Sequence, residues 1–293
     1  MRVALIGSVQ FSEDMLGALM ACPLEVVAVC TRSPNTPNSD QVDLTRAAQA
    51  ARVPVRRVSS MNAHDDQQWL SSHSPDIVFC LGWSELLSPS ALELAPNGFI
   101  GFHPAPLPRN RGRHPLIWAL ALGLTETAST FFVMDSGADS GDIISQVPVP
   151  ILEQDYAKDL YERVTQTAKE QIRDIAAGLL AQTMSRVRQD PRKATYWRKR
   201  TVADGRIDFR MSGTSIRNLV RALSTPYPGA SFIYGSSDIT VGHADLLSGW
   251  NPTDEPGKVL SVSTQAITVR TGDGAVRLTD MSRVPPIGVG EYL

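Results

Sequence analysis

The chain has 293 residues, 42% of them hydrophobic, with 28 Lys and Arg against 30 Asp and Glu. A protein of this size and balance buries about three quarters of its unfolded surface, enough for a full core and a small second domain. Disorder, collagen and a disulfide scaffold are excluded, and apolar runs such as 116–124 fall far short of the roughly 20 residues that span a bilayer, so no membrane partner is expected.

In chain order, the opening MRVALIGSVQFSED ends its apolar stretch at Gly7-Ser8 and turns acidic at once. That is the form of a first buried strand, since a leader needs a longer apolar core and a small-residue cleavage site. Residues 3–6, 26–29, 53–58 and 77–80 read as buried strands, too continuously apolar for one-face alternation. Between them 13–20, 44–52 and 65–71 carry helical spacing. The alternation predicts a Rossmann-like, doubly wound α/β domain with a mostly parallel sheet. Strands at 99–103 and 130–134 continue it around a helix at 115–124, where Pro115 suits a first turn. A long amphipathic helix over 155–184 closes the first domain, read as 1–185.

Beyond Asp190-Pro191 the texture changes. Residues 186–202 read as a basic linker, and 203–293 as a smaller β-barrel-like (OB-like) domain with a helix at 216–223 and short strands at 239–241, 258–262, 266–269 and 276–278. Glycines punctuate these as turns. Cys22, Cys30 and Cys80 are odd in number and lack metal-ligand spacing, which points to small buried hydrophobes in a reducing cytoplasm and to no metal.

Three stretches are candidates for chemistry. After the first strand only Gly7 of a GxGxxG fingerprint is in place, so nicotinamide or flavin binding is not expected. In IGFHPAPLPRNRGRHP, residues 100–115, His103 ends a strand and a proline-stiffened loop with Arg109, Arg111 and Arg113 follows, where open α/β sheets hold ligands. In FFVMDSGADSGDII, residues 131–144, three carboxylates lie within eight residues without the spacing of a calcium loop. A carboxylate such as Asp139 beside an imidazole fixes the ring's tautomer and stabilises its protonated form.

Together, HPAPLPRNRGRHP and MDSGADSGDII resemble the paired HPSLLPxxRGxxP and MDxGxDTGDI segments of folate-dependent formyltransferases. YWRKRT at 196–201, DGRIDF at 204–209 and RALSTPYPGA at 221–230 are similar to that family's C-terminal domain. The resemblance implies transfer of a formyl group from 10-formyltetrahydrofolate, a co-substrate, to an amine. His103 would be the general base and Asp139 its orienting partner. Backbone around Leu86, Leu87 and Ser88 would form one wall of the pterin pocket, and Pro104 with the Asp139 to Asp142 loop the other. Where the family carries an asparagine two residues before the histidine, this chain has Gly101. Loss of one oxyanion donor costs about 3–4 kcal/mol in a protease. Asn110 is the nearest substitute; formylfolate hydrolysis, or folate or nucleotide binding without transfer, are the readings without one.

The acceptor expected from the resemblance is a nucleotide-linked amino sugar, contacted by Arg109, Arg111, Arg113 and Tyr227, with Arg111 gripping a diphosphate in bidentate fashion. Methionyl-tRNA formylation is the alternative. The tRNA enzymes carry a lysine-rich insertion after the second strand, whereas residues 31–43 here hold one arginine and two aspartates, poor material for phosphate contacts. A homodimer is the expected assembly if the sugar branch applies. The near-neutral total also hides an imbalance: residues 186–221 contain eleven Arg and Lys against three Asp, a stretch that could meet phosphates or be solvated.

Overall fold

The computed structural model describes residues 1–33 and 40–293; part of the 31–43 stretch therefore lies outside the described residues. The chain divides into two compact units, Met1–Pro115 with Thr127–Val149 and Glu162–Trp197, and Leu116–Glu126 with Pro150–Tyr161 and Arg198–Leu293.

Up to residue 197 the chain forms β1 (Arg2–Ile6), α1 (Gln10–Met20), β2 (Glu25–Thr31), α2 (Thr45–Ala50), β3 (Val55–Arg57), α3 (His64–Ser72), β4 (Ile77–Cys80), α4 (Pro89–Leu92), β5 (Phe99–His103), β6 (Arg111–Gly112), α5 (Pro115–Ala121), β7 (Glu126–Val133), β8 (Ile143–Pro150), α6 (Ala157–Ala181) and β9 (Tyr196–Trp197); these make the first unit, except that α5 beyond Pro115 and the start of α6 belong to the second. Seven strands form one sheet in the order β3-β2-β1-β4-β5-β7-β8. The β1–β2, β2–β3, β1–β4 and β4–β5 pairs are parallel, and β7 runs antiparallel to β5. This is the doubly wound sheet the alternation of runs predicts. Chain progression reverses between β1 and β4, the switch point outside which such sheets bind ligands.

Both faces of β1 and β4 are buried, as their unbroken apolar runs require. On one face Ala4, Ile6, Ala28, Cys30, Val78, Cys80 and Phe99 pack with Met61, Leu70, Leu87 and Ala91; burying each large apolar side chain contributes about 1.5–3 kcal/mol. Cys30 and Cys80 are thus core residues, and burial pushes the Cys30 thiol up to about 12. Cys22 is half-buried, and all three are unpaired. On α1, Phe11, Met15, Leu16 and Leu19 form the buried stripe.

Three helices end earlier than their apolar spacing suggests, for one reason. Arg52, Gly123 and Gln182 each take a left-handed backbone, and the next residue's N–H returns to a carbonyl five back: Val53 to Ala48, Leu124 to Ala119 and Thr183 to Gly178. That bond satisfies an orphan carbonyl and stops the helix. Hence α2, α5 and α6 close before residues 52, 124 and 184.

The second unit carries α7 (Gly213–Leu223) and β10 (Ala230–Tyr234), β11 (Ser237–Leu247), β12 (Val259–Val262), β13 (Ile267–Arg270) and β14 (Ala275–Met281). Its strands make an antiparallel sheet in the order β10-β11-β14-β13-β12. Ser212 caps α7 by accepting from Ser215 N–H at 3.0 Å. Arg221 near the helix end is buried; it donates to the carbonyls of Asp155 and Leu152 and to Asn218 Oδ1, and burial pulls its pKa below the usual arginine value. The arginine of the RALSTPYPGA stretch therefore holds this unit together. No helix of the described residues is long and apolar enough to cross a membrane.

Candidate active site

His103 is the last residue of β5 and is only 4% exposed. The chain after it cannot wander: Pro104, Pro106 and Pro108 each fix a backbone angle. Thr127 Oγ1 donates to Pro104 O, Thr130 Oγ1 to Ala105 O and Gln146 Nε2 to Leu107 O. The loop then turns back, with Asn110 in a left-handed conformation (φ 63°) that asparagine tolerates better than most residues. This turn brings Asn110 O to 2.7 Å from His103 Nε2.

That contact fixes the imidazole. A carbonyl oxygen only accepts, so Nε2 carries a hydrogen and Nδ1 is the nitrogen able to take a proton. Nδ1 faces Asp139 Oδ2 at 3.5 Å. Asp139 is itself left-handed (φ 54°), and Oδ2 accepts from Gly112 N–H at 2.9 Å. The structure brings the expected pair together from the end of β5 and the loop between β7 and β8, with the histidine buried and the carboxylate partly open. Around it Asp135 Oδ1 accepts from Gly137 N–H and Ser140 Oγ, closing the loop on itself. A Cβ on Gly141 would lie 1.7 Å from Val133 O, so only glycine lets the loop return to β7, where Val133 N–H donates to Asp142 O.

The segment expected as a pterin wall is held from behind. Asn62 Nδ2 donates to Leu86 O at 2.9 Å and Asn62 Oδ1 accepts from Ser88 N–H at 2.6 Å. Glu85 accepts from Ser60 Oγ and Met61 N–H. Leu87 sends its side chain into the core, Leu86 is 61% exposed, and Ser88 caps α4. Two of the backbone groups expected to meet a ligand are thus already bonded to Asn62. Neither Asn62 nor its loop stands out in the sequence, because a lone Asn in SSMNAHDD reads as a turn residue.

The family models for Formyl transferase and for Formyl transferase, C-terminal domain match residues 1–175 and 199–284. The chain belongs to the formyl transferase family. Solved structures similar to this formyltransferase include the sugar 3N-formyl transferase WlaRD with dTDP and 5-N-formyl-THF (15% identity, 97% of this chain and 99% of that one, TM-score 0.74). The N-formyltransferase from Helicobacter canadensis with folinic acid and dTDP-3-aminofucose is similar at 16% identity, covering 95% and 98%, with TM-score 0.73. Methionyl-tRNA formyltransferase from Clostridium thermocellum matches at 17% identity over 85% and 95%, with TM-score 0.61.

The arginines of this formyltransferase are placed differently from one another. Arg109 is exposed, as a ligand contact would be. Arg113 is half-buried and donates to Ser84 O at 2.6 Å, tying the histidine loop to the 84–88 segment. Arg111 corrects the expectation of a diphosphate grip: it is 4% exposed, with Nε and one terminal nitrogen on Gln189 Oε1 and the other on Tyr196 OH. Each of its three nitrogens donates to a group within the protein. Tyr227 is half-buried and belongs to the second unit.

The stretch expected as a solvated linker is largely tied down. β9 pairs with β6 in parallel, and a Cβ on Gly112 would lie 2.3 Å from Trp197 O. Gln189 is buried within it. Its positive charge is mostly answered locally: Arg192, Arg198 and Arg210 pair with Asp190, Asp204 and Asp208, Arg206 with Asp238 and Arg217 with Glu153.

At Gly101 the site departs from its family pattern in shape as well as chemistry. Gly101 lies opposite Phe132 in the β5–β7 pair. A Cβ there would lie 2.8 Å from Phe132 Cζ and 2.9 Å from Met134 Cγ. An apolar wall fills the space that a side chain at 101 would enter. Asn110 enters the site through its carbonyl, while its side-chain Oδ1 takes a hydrogen bond from Thr195 Oγ1 at 3.2 Å.

Proposed function

We propose that this formyltransferase moves the formyl group of 10-formyltetrahydrofolate to the amine of a nucleotide-linked amino sugar. The observation that carries the chemistry is the His103–Asp139 pair with its tautomer set by Asn110 O. The amine attacks the formyl carbon and a C–N bond forms as the carbonyl becomes an oxyanion. His103 Nδ1 takes the proton the amine must lose, and Asp139 Oδ2 stabilises the resulting imidazolium. The bond to N10 then breaks, and the imidazolium returns the proton to the departing tetrahydrofolate nitrogen. Asn110 Nδ2 is the side-chain donor proposed for the oxyanion in place of the amide missing at Gly101.

Leu87 and the flanking backbone, with Pro104 and the 139–142 loop, are the proposed pterin walls. Arg109 and Arg113 are the proposed acceptor contacts. A sugar 3N-formyl transferase with dTDP and an N-formyltransferase with dTDP-3-aminofucose, both matching over nearly their whole length, support this acceptor class. The tRNA reading draws on the basic 186–221 stretch, but there only Arg186, Arg188, Lys193 and Lys199 are exposed cations outside the ion pairs described above. Four such charges are modest support for a phosphate-driven interface. The test is tetrahydrofolate release with a panel of amino-sugar nucleotides. Release that needs the sugar supports the proposal, release without any amine indicates a hydrolase, and formylation of methionyl-tRNA alone indicates the alternative.

A further inference from the structure

Gln189 sits in a run of exposed residues, Arg186-Val187-Arg188, yet is itself 5% exposed. A buried primary amide is costly unless its two hydrogens and two lone pairs are all matched. Here they are. Oε1 accepts from Arg111 Nε at 3.2 Å and from its terminal nitrogen at 2.7 Å. Nε2 donates to Asp139 O at 2.9 Å and Gly141 O at 2.7 Å. The same side chain thus grips both loops of the site, the histidine loop through Arg111 and the carboxylate loop through two carbonyls.

The carbonyl it holds belongs to a residue in an uncommon conformation. A left-handed backbone is rare at non-glycine residues, although aspartate enters it more readily than most, and Asp139 adopts it. That conformation, fixed on one side by Gly112 N–H at Oδ2, aims the carboxylate at His103. We propose that Gln189 is a positioning residue for formyl transfer, holding Asp139 in the left-handed conformation that sets its carboxylate against His103 Nδ1. The inference rests on the reading of His103 and Asp139 as the reacting pair.

Two substitutions separate positioning from simple anchoring. Gln189→Glu keeps an acceptor for Arg111 and removes both donors to the Asp139 loop; Gln189→Met removes everything at similar volume. The proposal expects both to lower kcat by about 10- to 100-fold, the scale of a small misplacement of reacting groups. The imidazole 15N resonances of His103, assigned by their loss in His103→Asn, report the pair without turnover. In Gln189→Met, with helical circular dichroism retained, the Nδ1 resonance should move in the direction seen for Asp139→Asn. Full activity in Gln189→Glu, or unchanged His103 resonances in a folded Gln189→Met, would overturn the proposal. Normal turnover by His103→Asn would instead sink the reading of the pair, whatever the Gln189 variants do.

Discussion

His103 Nε2 lies 2.7 Å from the carbonyl of Asn110, seven residues on in the same loop, so the loop that follows the histidine decides which of its nitrogens is basic. The left-handed turn at Asn110 is the local device, and the consequence is a proton acceptor on the Asp139 side of the ring.

Replacing His103 by Asn should leave the fold intact and reduce transfer by at least the 10²–10⁴-fold that general-base catalysis supplies. Asp139→Asn should lose a comparable factor, because the amide no longer stabilises the imidazolium. Initial rates at saturating donor measure both. Turnover by either variant within a factor of two of the parent contradicts the assignment.

Restoring an asparagine at Gly101 should not restore a family-like donor. The new side chain meets Phe132 and Met134, and overpacking of this kind costs about 1–3 kcal/mol. Urea unfolding should therefore show Gly101→Asn less stable than the parent, and Gly101→Asn with Met134→Ala should recover part of the loss. A single variant as stable as the parent would show that the wall gives way.

Asn110→Gly removes the side-chain donor but keeps the left-handed turn and the carbonyl that fixes His103. If Nδ2 stabilises the oxyanion, kcat should fall by roughly 10²–10³, the usual cost of one such donor, with no change in the histidine resonances. Parent-like turnover would assign the oxyanion to another group.

Asn62→Ala strips partners from Leu86 O and Ser88 N–H. The 86–88 segment should loosen, raising KM for the formyl donor several-fold, with kcat at saturation changed much less. Each lost hydrogen bond is worth about 1 kcal/mol. An unchanged KM would place the pterin elsewhere.

The parallel sheet was legible because buried strands leave unbroken apolar runs, whereas the pairing of His103 with Asp139 was expected only from the two family-like segments that carry them, and the folded chain does set the two side chains face to face. Helix ends were not legible, since the stop at Arg52 and Gln182 depends on a backbone angle that these residue types do not announce. Arg111 looked like a phosphate ligand for a related reason: an arginine in a loop reads alike whether it faces solvent or a buried Gln189 that is 78 residues away. Long-range polar pairing of this kind has no period, so Gln189 and Asn62 emerge only when the chain is folded.

Formyl transfer to an amino-sugar nucleotide is measured most directly by the release of tetrahydrofolate from 10-formyltetrahydrofolate with a panel of such nucleotides, each product checked by mass for one added formyl group. Release that requires one of these sugars and yields the formylated sugar is the predicted result. Release at the same rate without an amine, or formylation of methionyl-tRNA and of no sugar, would contradict it.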